Sequence, residues 1–410
     1  MDFAPKMSRR ADEAQPRYIS DLSTLVGIDS GSDDPEGVNR VADWVAQRLT
    51  TLGFEVERHT PGADAAPDSP RTGDALVGRR AGSGSGRIVL FAHMDTVFAA
   101  GDAAARPFSI DDAGLAHGPG VTDDKAGVVA GLHAAEHLIA EGSERYRELV
   151  LVFTPDEEIG SPFGRGVLEA AVRDADAALC LECARENGDL VGSRKGVIDL
   201  ELEVRGVAAH SGIEPERGAH AGLEAAHLTV FLQSLADLPA GVTVNVGVLR
   251  AGDRLNIVPD HARISVEMRA PQQEQLTRLM AAIRNRMAAP IVRGTSISIV
   301  GIDECPPMER TPASAEIGAI AAKVADSLGF TVHLAATGGV SDANRVSALG
   351  VPALDGLGPV GGGDHTPGEW LDLSTVPQRV AFLAMLIDTL GAASPVGTEA
   401  VGALRTVASD

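Results

Sequence analysis

The sequence predicts an α/β protein: a mixed, open-sheet domain interrupted by an inserted ferredoxin-like α+β domain. Three observations carry this. Short, wholly apolar runs such as residues 88–92 alternate with helical stretches and end in histidine or acidic residues, as do strands buried on both faces with a ligand crevice beyond their carboxyl ends. From residue 196 the pattern changes, with Ile198, Leu200, Leu202 and Val204 alternating with Asp199, Glu201, Glu203 and Arg205, a half-exposed strand of period two. Finally, 410 residues at 44% hydrophobic and 22% charged composition are ordinary globular usage and enough chain for two or three domains.

Taken in order, apolar residues at helical spacing predict helices over 18–28 and 38–52, the second stopped at Gly53. Residues 61–86, rich in Pro, Gly, Asp and Ala, read as a loop or a weak edge strand. Strands follow at 88–92, 149–153 and 177–181, ending at His93-Met94-Asp95, Asp156-Glu157-Glu158 and Glu182. A helix over 125–141 separates the first two. The insertion runs strand from 196, helix 219–235, strands 243–249 and 261–268, helix 272–287, strand 291–300, the βαββαβ order. After Pro306-Pro307 come a helix at 313–328, a strand at 331–335 and a helix at 375–390, with a loose tail beyond Gly391. The expected domains are therefore 1–195 and 309–410 for the α/β part and 196–308 for the insertion, whose one-sided strands suit pairing with a second subunit in a homodimer.

A formal charge of −22 argues against nucleic acid and anionic membranes, which need a positive field. No stretch reaches the roughly 20 apolar residues of a membrane span, and residues 1–16 lack the apolar core of a secretory signal, so a cytoplasmic protein is expected. Cys180, Cys183 and Cys305 are too few for a disulfide framework. Cys180 and Cys183 form a lone CxxC inside an apolar run, which reads as buried thiols rather than a redox pair or half a zinc knuckle.

His93 and Asp95 share one face of an extended segment, where a carboxylate could hold a metal-ligating imidazole in one tautomer. Asp123 and Asp124 precede a helix, and either a ligand or an N-cap suits that place. Glu157 and Glu158 follow a buried strand, where a solvated turn is the plain alternative. Glu182 ends an apolar run, where an unpartnered carboxylate would cost several kcal/mol. Together they make the N/O donor set that zinc accepts. His133-Ala134-Ala135-Glu136-His137 fits the H-x-x-E-H pattern of inverted zinc peptidases, but so short a pattern arises easily by chance in an Ala-rich helix.

Over nearly its whole length the chain resembles the co-catalytic zinc peptidases typified by bacterial glutamate carboxypeptidase. The resemblance rests on His93-Met94-Asp95-Thr96-Val97, Gly118-Pro119-Gly120 with Asp123-Asp124-Lys125, Asp156-Glu157-Glu158, Glu182, Ala209-His210-Ser211-Gly212, Asn256-Ile257-Val258-Pro259, Arg269, Gly338-Gly339 and His365. It implies two zinc ions per subunit, with cobalt or manganese as alternatives, bridged by Asp123. His93 and Glu182 would complete one ion, Glu158 and His365 the other. Two zinc ions (+4), three carboxylates (−3) and a bridging hydroxide (−1) sum to zero, a charge a dry crevice can hold. The resemblance further makes Asp95 the orienter of His93, Glu157 the general base and His210 an oxyanion donor lent by the other subunit. Asn256, Arg269, Gly338 and Gly339 would hold the substrate, a small molecule or short peptide with a free carboxylate. The implied reaction is hydrolysis of an amide to release a free, C-terminal amino acid. N-acyl amino acid deacylase, desuccinylase and dipeptidase activities are alternatives on the same framework. An inactive metal-binding relative would be expected to lack Glu157, which is present. Cys183-Ala184-Arg185 after Glu182 departs from the Pro and small residues common in related sequences, and Arg194-Lys195 add charge beside the next strand, so the pocket itself can differ.

Overall fold

The computed structural model describes residues 3–62 and 70–393, so the expected loose tail lies outside the described residues apart from its first few positions. The chain forms two compact units. The first comprises Met1–Gly192, Arg310–Ala336 and Ser341–Asp410, the second Ser193–Glu309 and Thr337–Val340.

The first unit is built on a six-stranded mixed sheet in the order Glu55–His59, Ala75–Ala81, Glu148–Thr154, Arg87–His93, Ala177–Cys180, Ala353–Leu354. Glu148–Thr154, Arg87–His93 and Ala177–Cys180 pair in parallel. Arg87–His93 is buried at every position, which is why its sequence is a nearly continuous apolar run rather than an alternating one. Because the three strands run the same way, the residues following them emerge side by side along one sheet edge. Helices Phe3–Val26, Lys125–Ala140 and Val376–Ala392 pack against one another. A second, small antiparallel sheet pairs Trp370–Asp372 with Gly361–Gly362 and with Leu115–His117. It draws the loops at 118–124 and 363–369 together.

Two expectations change here. The first helix begins at Phe3, not at residue 18, and passes through Pro16. Met7, Ala11, Tyr18, Leu22 and Leu25 form one buried stripe, while Pro16 lies on the exposed side, where water can satisfy the carbonyl that proline leaves unbonded. Ala75–Ala81 is an interior strand, paired on both sides, and Glu55–His59 is the edge. The composition of 61–86 concealed it, Gly78 lying close against Leu49, where an added Cβ would come within 3.0 Å of the leucine methyls.

Buried Arg379 donates to the carbonyls of Gly358 (3.0 Å), Gly188 (3.1 Å) and Gly356 (2.7 Å). Each carbonyl would cost about 1–3 kcal/mol if left unpaired. Through the Gly358 N–H, which donates to the Glu182 carbonyl at 2.9 Å, this anchor also fixes the backbone of Glu182.

The second unit is a four-stranded antiparallel sheet in the order Thr243–Ala251, His261–Ala270, Gly196–Arg205, Ser296–Cys305. Helices Ala221–Ser234 and Gln273–Met287 cover one face, packed on Ile198, Leu200, Leu202 and Val204. This is the ferredoxin-like arrangement. Its last strand starts at Ser296 rather than 291, because the Val292 N–H is taken by the buried Glu224 carboxylate (2.6 Å) and Thr295 turns back onto the Val292 carbonyl (3.2 Å). Among the described residues no helix is long and apolar enough to cross a membrane, and all three cysteines are free and buried.

Candidate metal centre

His93 is the last residue of its strand, with Nδ1 3.0 Å from the Asp95 carbonyl and 3.3 Å from Asp95 Oδ1. A proton on Nδ1 leaves the Nε2 lone pair pointing outward, the second-shell device that orients a ligating imidazole. Nε2 lies 2.9 Å from Asp123 Oδ1 and 3.7 Å from Glu182 Oε1. Asp95 also accepts the Ser32 hydroxyl (2.6 Å) and the backbone N–H groups of Glu157 (3.0 Å) and Glu158 (3.1 Å). One buried carboxylate thereby registers two strand ends against each other. Asp156 accepts the N–H groups of Phe163 (2.7 Å) and Gly164 (2.9 Å) and so caps the helix Gly164–Val172 instead of facing the cluster.

On the other side of Asp123, Oδ2 lies 3.1 Å from His365 Nε2, which is also 3.1 Å from Glu158 Oε2. The two oxygens of Asp123 thus face two different groups. His93, Asp123 and Glu182 form one set of donor atoms within 4.8 Å of one another, and Asp123, Glu158 and His365 form a second. Asp124 occupies the N-cap of helix Lys125–Ala140 but its side chain makes no cap bond, so the acidic pair is not there to cap. His365 adopts φ +62°, a left-handed conformation costly for a residue with a Cβ and frequent where a side chain is held for function.

Electrostatics favour a cation here. Hydrogen bonds with Asp123 and Glu158 push His365 up to about 11. Burial opposes charge on His93, yet bonds to Asp123 and Asp95 raise it well above its ordinary value. Around both rings the carboxylates favour positive charge. Glu158 Oε1 is buried with no hydrogen-bond partner, an orphaned acceptor that a metal ion would satisfy. Loss of water pushes Glu157 well above the carboxylate range, reinforced by Glu182, Asp342 and Glu158 and opposed by His93. The donor set fits two divalent cations.

The profile of peptidase family M20/M25/M40 matches residues 89–389. The chain belongs to this family. It is 28% identical over 385 residues to carboxypeptidase G2 of Pseudomonas sp. (strain RS-16), covering 93% of this chain and 91% of that protein. It is 31% identical over 396 residues to acetylornithine deacetylase of Myxococcus xanthus, covering 91% and 97%. Aminopeptidase PepT of Bacillus cereus has the same fold, with a TM-score of 0.77 at 23% identity over 92% of this chain and 98% of that one. A family M20 metallo-carboxypeptidase of Sulfolobus solfataricus matches with a TM-score of 0.69 at 16% identity, over 91% and 99%. Like other members of M20/M25/M40, the chain is a metallohydrolase with its α/β catalytic unit interrupted by an insertion.

The remaining sequence candidates lie in the second unit. His210 forms an isolated bridge with Ile257, and Ser211 N–H donates to the Asn256 carbonyl at 3.1 Å, so these two sequence segments are held together. The Gly212 N–H donates to His210 Nδ1 at 3.2 Å, leaving the proton on Nε2. Arg269 is braced by Glu267 through Nε (2.9 Å) and Nη2 (2.8 Å), and its Nη1 donates to the Gly338 carbonyl at 2.8 Å. Arg194 reaches the neighbouring Gly339 carbonyl at 3.4 Å. Sequence reasoning missed two buried contributors in the first unit. Ser32 holds Asp95 as described, and the Glu369 carboxylate accepts the N–H groups of Gly120, Thr122 and Asp123.

The H-x-x-E-H segment is not part of either donor set. His133 Nε2 meets Asp21 at 2.8 Å and its ring packs edge-on against Tyr18 and His137, while Glu136 pairs with Arg17 and Arg48. These side chains join helices Phe3–Val26, Pro35–Thr51 and Lys125–Ala140. Burial, with the charges of His133, Arg10 and Arg17, lowers His137 to about 3. A folded value below the unfolded value of about 6.5 means the unfolded chain binds the proton more readily, so this residue's contribution is intact above about pH 6.5 and is lost progressively toward pH 3. His137→Leu is expected to lose less stability between pH 7.5 and pH 5 in urea denaturation than the parent chain. An identical pH dependence in both would contradict it.

Proposed function

We propose that the chain is a di-zinc amidohydrolase that releases a free, C-terminal amino acid, in the manner of a glutamate carboxypeptidase. The observation that carries this reading is Asp123, whose Oδ1 faces His93 and whose Oδ2 faces His365. His93, Asp123 and Glu182 would hold one zinc ion, Asp123, Glu158 and His365 the other, with cobalt or manganese as substitutes. When bound, the ions would polarise the scissile carbonyl and acidify water. Glu157 takes the proton of the attacking water and delivers it to the departing amine. Its raised proton affinity and the anchoring of its backbone by Asp95 suit both transfers. His210, carrying its proton on Nε2, donates to the developing oxyanion. Arg269, held by Glu267, and Gly338-Gly339 receive the α-carboxylate, and Asn256 orients the substrate.

A homodimer follows from the same reading. Along the second unit's sheet Arg269 pairs with Val197 and His261 with Arg205, and the His210 bridge with Ile257 lies beyond the latter end. Eight steps at 3.3 Å separate His261 from Arg269, about 26 Å. On this reading His210 is lent to the site of a second copy. The edge strand Thr243–Ala251 and helix Ala221–Ser234 support such pairing, with exposed Leu249 and Val230, the latter 72% accessible.

The acetylornithine deacetylase relative favours a second reading, an N-acyl amino acid deacylase on the same site. Both are tested by assaying the zinc-loaded protein on N-acyl amino acids and dipeptides varied at the C-terminal residue. Release of a free amino acid is expected, with kcat/KM lower by on the order of 100-fold when the α-carboxylate is capped as a carboxamide. Equal turnover of capped and free substrates would contradict the carboxylate requirement.

A further inference from the structure

We infer that Glu369 is a positioning residue that sets the Asp123 carboxylate for both metal-ligand groups at once; this rests on the two-cation reading above. Its buried carboxylate spans the chain to a distant loop. Oε2 accepts the Gly120 N–H at 2.9 Å, and Oε1 accepts the N–H groups of Thr122 (2.7 Å) and Asp123 (2.9 Å). The loop has few ways to hold this shape by itself. Gly120 sits at φ +70°, a conformation open to glycine but rare for other residues, and three backbone donors converge on one side chain. Two further straps reinforce the contact: the Thr122 hydroxyl donates to the Trp370 carbonyl at 2.9 Å, and His117 Nδ1 lies 3.0 Å from the Glu369 carbonyl.

Glu369 also belongs to the turn that presents His365. Its own N–H donates to the Thr366 carbonyl at 3.2 Å, and Thr366 is tied to Gly363 through backbone (3.1 Å) and hydroxyl (2.7 Å) bonds. The side chain therefore links the turn bearing His365 to the loop bearing Asp123. A carboxylate is the chemistry the place requires, since it only accepts. Glutamine would keep the size, but in either orientation its NH2 would face at least one backbone N–H, donor against donor. Because Asp123 belongs to both donor groups, loosening the loop weakens both metal positions and not one alone.

The test is a zinc titration of the metal-free full chain in competition with a chromophoric chelator, on the wild type, Glu369→Gln and Glu369→Asp, each checked for fold by circular dichroism and melting temperature. Both zinc equivalents of folded Glu369→Gln are expected to weaken by about 10–100-fold, the usual consequence of losing an outer partner of a ligand. Glu369→Asp, which keeps the acceptor but shortens the reach, should fall between the two. kcat should drop with KM little changed. A folded variant that binds both equivalents as tightly as the wild type, or that loses only one, overturns the inference, as does a lowered melting temperature with unchanged zinc affinity. If Glu369→Gln does not fold, Thr122→Val, which cuts only the strap to Trp370, must weaken both equivalents in milder form, and unaltered uptake overturns the proposal. Failure of the wild type to bind two equivalents is a separate outcome that removes the two-cation reading itself.

Discussion

Glu157→Gln is expected to retain two zinc equivalents and to lose kcat by about 10²–10⁴-fold, the usual share of a positioned general base. The substitution keeps the shape of the side chain and the backbone N–H that donates to Asp95, so the cluster beside it has no reason to move. What disappears is the capacity to accept a proton from water and return it to the leaving amine. KM should change little, because Glu157 holds no part of the bound substrate in this scheme. The measurement is steady-state kinetics paired with metal analysis on the same sample. Undiminished turnover at full metal content would remove Glu157 from the base role.

The second large effect separates shared from private ligands. His365 serves one donor group and Asp123 serves both. His365→Ala should purify with about one tightly held zinc and Asp123→Ala with neither, each losing affinity by more than the 10–100-fold typical of an outer partner. The order matters more than the magnitude. Equal metal loss in the two variants would contradict the assignment of Asp123 as the common ligand, and a His365→Ala chain holding two equivalents would contradict the assignment of His365.

Much of the catalytic unit was legible because buried parallel strands advertise themselves as uninterrupted apolar runs, and because an ionisable side chain at the end of such a run is too costly to stand without a partner. His93, Glu158 and Glu182 are of this kind. The insertion was legible for the opposite reason, its first strand, Gly196–Arg205, alternating buried and polar positions. Elements that depend on distant partners were not legible. Ala75–Ala81 carries Gly78, Arg79 and Arg80 and becomes an interior strand only once two neighbours flank it. Helix Phe3–Val26 runs through Pro16 because that residue's side of the helix meets solvent. Glu369 has no motif around it that marks it, and it lies 246 residues from the Asp123 N–H it accepts. Conversely, the local H-x-x-E-H pattern proved to be a helix-packing device, since its glutamate is occupied by Arg17 and Arg48 and His133 by Asp21.

The central claim is that His93, Asp123, Glu158, Glu182 and His365 surround a pair of divalent cations. Crystals of the zinc-loaded chain, with diffraction recorded on either side of the zinc absorption edge, test it most directly. The account predicts two anomalous peaks per chain, one on each side of the Asp123 carboxylate and roughly 3.5–4 Å apart, as two-metal hydrolases require. A single peak, or zinc bound elsewhere with Asp123 unligated, would contradict it.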